Sequence, residues 1–127
     1  MLHEALGQYL DAVESALCQI EHVHVERYEE EILASDRVNL RIRVRFATGH
    51  LLELNEAVIV DGESLKHLDY RYHFQDDQNR LVFRYDCTPH FPELPTFPHH
   101  KHLPGNVIAA GKPSILDVVE EAKQSLE

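Results

Sequence analysis

Apolar residues recur along this chain with two different periods, and the two periods divide it into elements. Over residues 1–20 they follow the spacing i, i+3, i+4, i+7 with acidic residues on the far side, which predicts an amphipathic helix. The same spacing predicts a closing helix over residues 114–127, where Ser114 and Asp117 resemble a capping box. Each helix therefore carries an apolar stripe that needs a partner layer.

Between the two helices, over residues 22–88, apolar and polar residues alternate, which is typical of strands. Turn-forming residues at 35–37, 47–50, 61–62 and 76–79 divide this region into about five strands. Strands joined by short turns pair with their neighbours, so we predict an antiparallel meander. Its apolar face would be covered by the N- and C-terminal helices, which makes the chain a single two-layer α+β domain.

Two hairpins can be given a register. In the first, we expect Ile32 opposite Leu40, which also sets a row of glutamates against a row of arginines as a solvated structural face. The second hairpin closes over 76–79, which would place Phe74 opposite Leu81 and leave one face wholly apolar or aromatic. The polar face of this hairpin carries a compact cluster: Asp69, Arg71, His73, Arg84 and Asp86.

Glu56 interrupts the apolar positions of the third strand. A carboxylate is costly at an inward position unless it is paired. We expect a bulge or a sheet edge to expose it; the alternative is an arginine or histidine partner, and Glu56 is then a further candidate for the site.

All six prolines lie between Pro89 and Pro113. Four of them, Pro89, Pro92, Pro95 and Pro98, are three residues apart, which predicts that residues 89–113 form an extended arm close to polyproline II, with Phe91, Leu94 and Phe97 on one side. Docking of that side on the sheet would bring the polar residues of the arm to the cluster on the hairpin. These residues are His90, His99, His100, Lys101 and His102.

The formal net charge of −10 argues against general coating of nucleic acid. Between Lys66 and Leu103, however, acidic and basic residues balance, and six of the ten histidines lie there. An acidic flank beside a neutral, histidine-rich segment suits a basic protein partner at least as well as a nucleic acid.

Cys18 and Cys87 have no CxxC spacing and indicate free thiols. Because the sequence shows no signal peptide and no long apolar run, we expect a cytoplasmic protein with no membrane contact.

The polar set matches the needs of phosphodiester cleavage without a metal, namely a general acid, a general base and cations for the charge on the phosphate. His73 with His99 or His102 would move protons, arginines would hold the phosphate, and Asp86 would orient its neighbours. The candidate catalytic residues are Arg71, His73, Arg84, Asp86, His99, Lys101 and His102. This scheme expects no metal and no cofactor. The candidate binding residues are Tyr70, Tyr72, Tyr85, His90 and His100.

Two alternatives stay open for the histidines. His99 and His102, with His90 or Asp86, could bind a metal ion and leave a position for water. The segment PHHKHLP could also be a surface loop without a function.

Three segments together resemble the TumE family of toxins from bacterial toxin-antitoxin pairs: YRYHFQD at residues 70–76, LVFRYDCTPH at 81–90 and ELPTFPHHKHLP at 93–104. Cys87 stands where the RYDNxPH pattern has asparagine. The resemblance implies a small bacterial growth inhibitor that is neutralised by an antitoxin with a helix-turn-helix region.

The sequence therefore predicts a toxin that cleaves RNA by histidine and arginine chemistry. A ribonuclease is expected by analogy with other toxins of this size. The alternative is a non-catalytic binding module that docks a DNA-binding partner through the hairpin and the arm. Homodimer formation is left open.

Overall fold

The computed structural model describes all 127 residues of the chain as two helices and one seven-stranded sheet. The elements are α1 (Glu4–Cys18), β1 (Val23–Ala34), β2 (Arg37–Phe46), β3 (Leu51–Asp61), β4 (Ser64–Gln75), β5 (Leu81–Asp86), β6 (His100–Leu103), β7 (Asn106–Ala109) and α2 (Ile115–Ser125). All the strands pair antiparallel in the order of the chain. The predicted α+β meander is thus present, with seven strands rather than about five.

Both helices pack on one face of the sheet, as their apolar stripes predicted. The buried residues of α1 are Leu6, Leu10, Val13 and Leu17, and those of α2 are Ile115, Val118, Val119 and Ala122. The predicted capping box at Ser114 is confirmed, because Ser114 and Asp117 each bond the other's backbone N–H group. Neither helix has the length and hydropathy needed to cross a membrane.

The prediction of a polyproline arm over residues 89–113 is wrong. Residues 91–97 form successive turns, closed by hydrogen bonds from the Leu94 N–H to the Phe91 carbonyl and from the Phe97 N–H to the Leu94 carbonyl. Pro92 and Pro95 each occupy the second position of a turn, where a fixed φ is favourable and no N–H is needed. The three-residue spacing of the prolines therefore reports consecutive turns, and the chain that follows them forms the β6–β7 hairpin.

Both predicted registers are wrong by two residues. In the β4–β5 hairpin Phe74 lies opposite Phe83, because a bulge follows Phe74 and the Asp76 carboxylate accepts hydrogen bonds from two backbone N–H groups in the turn. In the β1–β2 hairpin Ile32 lies opposite Val38, with a tight turn after Ala34. A shift of the register by two residues keeps every side chain on its predicted face, because side chains alternate between the two faces along a strand.

The arginine and glutamate rows of β1 and β2 pair with each other on the open face, as predicted. Arg43 Nε and Arg45 Nε lie 2.8 Å and 3.1 Å from the two carboxylate oxygens of Glu26. These hydrogen bonds hold the pKa of Glu26 below its usual value. The pairs are partly exposed, and the rows form a solvated structural surface.

Glu56 is buried at 4% exposure on the helix side of the sheet, so the expectation that it is exposed is wrong. Its carboxylate accepts hydrogen bonds from the Tyr9 and Tyr72 hydroxyl groups and lies 3.2 Å from His67 Nε2. A bulge at Leu68 in the neighbouring strand turns His67 inward to meet it. The histidine partner considered as the alternative is therefore present.

Candidate functional site

The register of three strands brings the polar cluster together on the face that the helices leave open. Across β4, β5 and β6, Arg71 lies opposite Asp86 and Asp86 lies opposite His100. One step along, Arg84 lies opposite His102. Because residues two apart share a face of a strand, these five side chains meet on one surface. Strand pairing, rather than a docked arm, therefore brings His100 and His102 to the polar cluster of the hairpin.

Asp86 lies at the centre of this group and is 6% exposed. Its Oδ1 atom accepts a hydrogen bond from the Thr88 N–H at 3.1 Å and lies 2.8 Å from His100 Nε2. Its Oδ2 atom lies 3.4 Å from Arg84 Nε and 3.5 Å from His102 Nε2. A buried carboxylate is tolerated only with such partners, and four surround this one.

His100 is the most buried member of the cluster, at 2% exposure. Its Nδ1 atom lies 2.9 Å from the Pro98 carbonyl oxygen, so Nδ1 carries a proton and donates it. Its Nε2 atom then faces the Asp86 carboxylate at 2.8 Å. With Nδ1 donating to Pro98, Nε2 is the ring nitrogen that faces both Asp86 and His102. The ring of Phe91 packs edge-on, 5.0 Å away between centroids, and covers the imidazole.

His102 is the member of the pair that reaches solvent, with 19% of its side chain exposed. Its Nε2 atom lies 3.1 Å from His100 Nε2. Burial, and after it the positive charge of Arg84, holds the pKa of His102 below its usual value. The lowered pKa favours the neutral imidazole, and the partly exposed His102 ring lines the cavity with Nε2 turned toward His100 and Asp86.

The cluster lines an open cavity of about 310 Å³, whose walls also include Thr88, His90 and Phe91. Two smaller cavities lie beside it on the same face. One is lined by Arg41, Asn55 and Arg71 among others, and the next by Arg71, His73 and Gln75 among others. Arg71 lines all three, so the polar surface is continuous across the sheet.

His73 lies next to the main cavity rather than in it. It is opposite Arg84 in register, and its Nε2 atom lies 2.9 Å from Gln75 Oε1. Burial, followed by the charges of Arg71 and Arg84, lowers its pKa. His73 and His102, one of the predicted acid-base pairs, therefore line two adjacent cavities rather than the same one.

Lys101 lies on the opposite face of the sheet from the cluster. Its Nζ atom is 2.5 Å from the Glu121 carboxylate on α2 and 4.9 Å from the centre of the Tyr85 ring. Burial alone would lower the pKa of Lys101, but the bonds with Glu121 and Tyr85 outweigh it and raise the pKa. The structure therefore does not bring Lys101 to the other candidate catalytic residues.

Substitution Lys101→Met tests this placement. We expect the substitution to leave the activity of the open face unchanged within about twofold, because the lysine contacts only the helix side. It should lower the free energy of unfolding by about 1 kcal/mol through loss of the contact with Glu121. Melting curves and activity assays on the same preparation would check both; a loss of activity greater than that of Arg84→Ala would contradict the placement.

The three candidate binding tyrosines belong to the core rather than to a surface. Tyr70, Tyr72 and Tyr85 are each at most 9% exposed and pack under the helices. The Tyr70 hydroxyl lies 2.9 Å from His99 Nδ1 and the two rings stack, which draws His99 away from Asp86. Tyr70, Tyr72, Tyr85 and His99 are therefore not brought into the cavity.

Thr88 and Phe91 line the cavity but were missed in the sequence. The bond from the Thr88 N–H to the Asp86 carboxylate is an Asx turn, and Asp-x-Thr-Pro at residues 86–89 is a recognisable signal for one. The ligand atoms of Asp86, His100 and His102 all lie within 4.8 Å of one another. The possible metal ligands are therefore Asp86, His100 and His102, whereas the sequence had suggested His99 in place of His100.

The fold and the site together define a small two-layer α+β domain with a buried acid, two arginines and histidines in an open polar cavity. The model of the family described as Toxin TumE matches residues 12–126, nearly the whole chain, and the protein belongs to this toxin family. A search of curated proteins finds no match. A search of solved structures finds none either. Membership in the family implies that a cognate antitoxin is a partner of the protein.

Proposed function

We propose that the protein is the toxin of a toxin-antitoxin pair and that it stops growth by cleaving RNA in the cavity around Asp86. The observation that carries this proposal is the meeting of two arginines, a buried carboxylate and two histidines in one open cavity. These residue types are those that phosphodiester cleavage needs, and Arg84, His100 and His102 each have a nitrogen within 3.5 Å of the Asp86 carboxylate.

In this proposal the two arginines bind the substrate. Arg84 Nε lies 3.4 Å from Asp86 while its other donors stay available for a phosphate oxygen, and Arg71, opposite Asp86 on β4, lines the same cavity. Because Arg71 also lines the cavities toward β2 and β3, an RNA strand can follow the polar surface across the sheet. This local arrangement offsets the acidity of the whole chain, whose net charge is −10.

The histidines move protons. His102 presents a neutral ring at the mouth of the cavity and accepts the proton of an attacking ribose 2′-hydroxyl. His90, which lines the same cavity, is placed to protonate the leaving oxygen. His100 is a positioning residue, since it is buried between Asp86 and the Pro98 carbonyl and reaches substrate only through His102. This scheme uses no metal ion and yields a 2′,3′-cyclic phosphate.

The direct test is cleavage of a single-stranded RNA by the purified protein with excess EDTA present. We expect cleavage, and expect Arg84→Ala to lower kcat/KM by about 10- to 100-fold because a charge-assisted bond to phosphate is lost. Arg27→Ala is the matched control, since Arg27 is exposed on β1, four strands away. An RNA with 2′-O-methyl groups should not be cut.

Equal activity of Arg84→Ala and Arg27→Ala would place the chemistry elsewhere. If no condition gives cleavage, the protein is instead a binding module that docks its partner.

We also propose that the partner antitoxin carries the helix-turn-helix region that the family resemblance implied.

A further inference from the structure

The three ligand groups of the cluster have the spacing of donors around a single ion. His100 Nε2 lies 2.8 Å from Asp86 Oδ1 and 3.1 Å from His102 Nε2, and His102 Nε2 lies 3.5 Å from Asp86 Oδ2. Two donors bound at about 2.1 Å to one ion, at angles of about 90–110°, are about 3.0–3.4 Å apart. One ion could therefore contact all three groups with small adjustments.

The orientation of the groups is also already fixed. His100 donates its Nδ1 proton to the Pro98 carbonyl, which leaves Nε2 as the lone-pair nitrogen that faces the cluster. Backbone bonds of this kind orient metal-binding histidines in proteins. The Thr88 N–H holds the Asp86 carboxylate in the same way. Three ligand groups thus converge on one point, which either a shared proton or a metal cation can occupy.

The chemistry of the ligands selects the kind of ion. Two imidazole nitrogens and one carboxylate suit Zn²⁺, Ni²⁺ or Cu²⁺, whereas Mg²⁺ and Ca²⁺ prefer oxygen ligands. The positive charges of Arg71 and Arg84 beside the cluster also disfavour an ion that is held by charge alone. The cavity leaves further coordination positions open to water.

We infer that Asp86, His100 and His102 bind one divalent transition-metal ion, with zinc as the expected ion, and that this ion switches the cleavage reaction off. The second part rests on the proposed function. A bound ion takes the Nε2 lone pair of His102 and leaves the ring's proton on Nδ1, so no lone pair remains to accept the substrate proton and metal binding and catalysis exclude each other. The site then couples the toxin to the supply of free zinc.

Binding is measured first, without RNA, by titration calorimetry of the full chain with zinc chloride and by the visible absorption of bound Co²⁺. We expect one ion per chain and a loss of affinity of at least about tenfold in His102→Ala and Asp86→Asn. His24→Ala is the control for adventitious binding, because His24 is exposed on β1. Circular dichroism verifies that each variant is folded, and His102, at the cavity mouth, is the variant least able to disturb the core.

Inhibition is measured second, as RNA cleavage with rising zinc and its recovery on adding EDTA. Binding that depends on His102 but not on His24, together with reversible inhibition, supports the inference. Binding that is equally strong in His102→Ala overturns the site, and zinc that leaves cleavage unchanged or accelerates it overturns the switch. If the protein cleaves no RNA, the proposed function fails while the binding data still decide the site.

Discussion

Asp86→Asn is expected to lower RNA turnover at least about 100-fold. The carboxylate faces donors from His100, Arg84 and the Thr88 backbone, and asparagine would turn an amide NH₂ group toward some of them. It would also remove the negative charge that lies 2.8 Å from His100 Nε2. His102 would then lose the neighbours that fix its ring, and the loss should appear in kcat more than in KM.

The matched control for this substitution is Asp61→Asn, which removes the same charge at an exposed position outside the cavities of the polar face. Activity is compared well below the melting temperature of each variant, because loss of hydrogen bonds at Asp86 also costs about 1–3 kcal/mol of stability. Near-normal turnover in folded Asp86→Asn would remove the carboxylate from the mechanism.

Glu56→Leu is expected to lower the free energy of unfolding by about 3–5 kcal/mol, because it leaves the polar groups of Tyr9, Tyr72 and His67 buried without their shared acceptor. For a domain of this size, the loss corresponds to a fall in melting temperature of roughly 10–20 °C. Thermal unfolding followed by circular dichroism measures it. A fall of less than about 3 °C would mean that the tyrosines find other partners or water.

Glu56→Gln gives the charge contribution separately, since glutamine keeps one acceptor oxygen. Burial alone would raise the pKa of Glu56, but the bonds from His67, Tyr72 and Tyr9 outweigh burial and lower it. A lowered folded-state pKa means that the carboxylate stabilises the fold above its ordinary unfolded pKa of 4.5, and that this stability is lost as the pH falls through the folded value. The stability gap between wild type and Glu56→Gln should therefore be full near pH 7 and shrink in acid.

The faces of the elements could be predicted from the sequence, but the registers could not. Periods of 3.6 and 2 assign inward and outward positions directly, so Leu6, Val118 and Phe74 lie in the core as predicted. The register depends on bulges and turn bonds, such as the bonds that Asp76 accepts, and these leave little trace in an alternating pattern. The bulge at Leu68, which turns His67 toward Glu56, was hidden for the same reason.

The site was predicted in part because its residues lie close in sequence on paired strands. Asp86, Arg84 and Arg71 were found from the alternation of the β4–β5 hairpin. Lys101 was misplaced because residues 100–103 were assigned to an extended arm; once they form a strand, alternation puts Lys101 and His102 on opposite faces. The three-residue spacing of Pro92 and Pro95 fits both an extended arm and consecutive turns, and only the hydrogen bonds of the turns distinguish the two structures.

The central claim is that the cavity around Asp86 is a catalytic site. The measurement that tests it most directly is the number of RNA cleavages per molecule of purified protein in excess EDTA, with Asp86→Asn prepared in parallel. A catalytic cavity gives many cleavages per wild-type molecule and almost none for folded Asp86→Asn. Wild-type protein that never exceeds one cleavage per molecule, or folded Asp86→Asn that matches wild type, would contradict it.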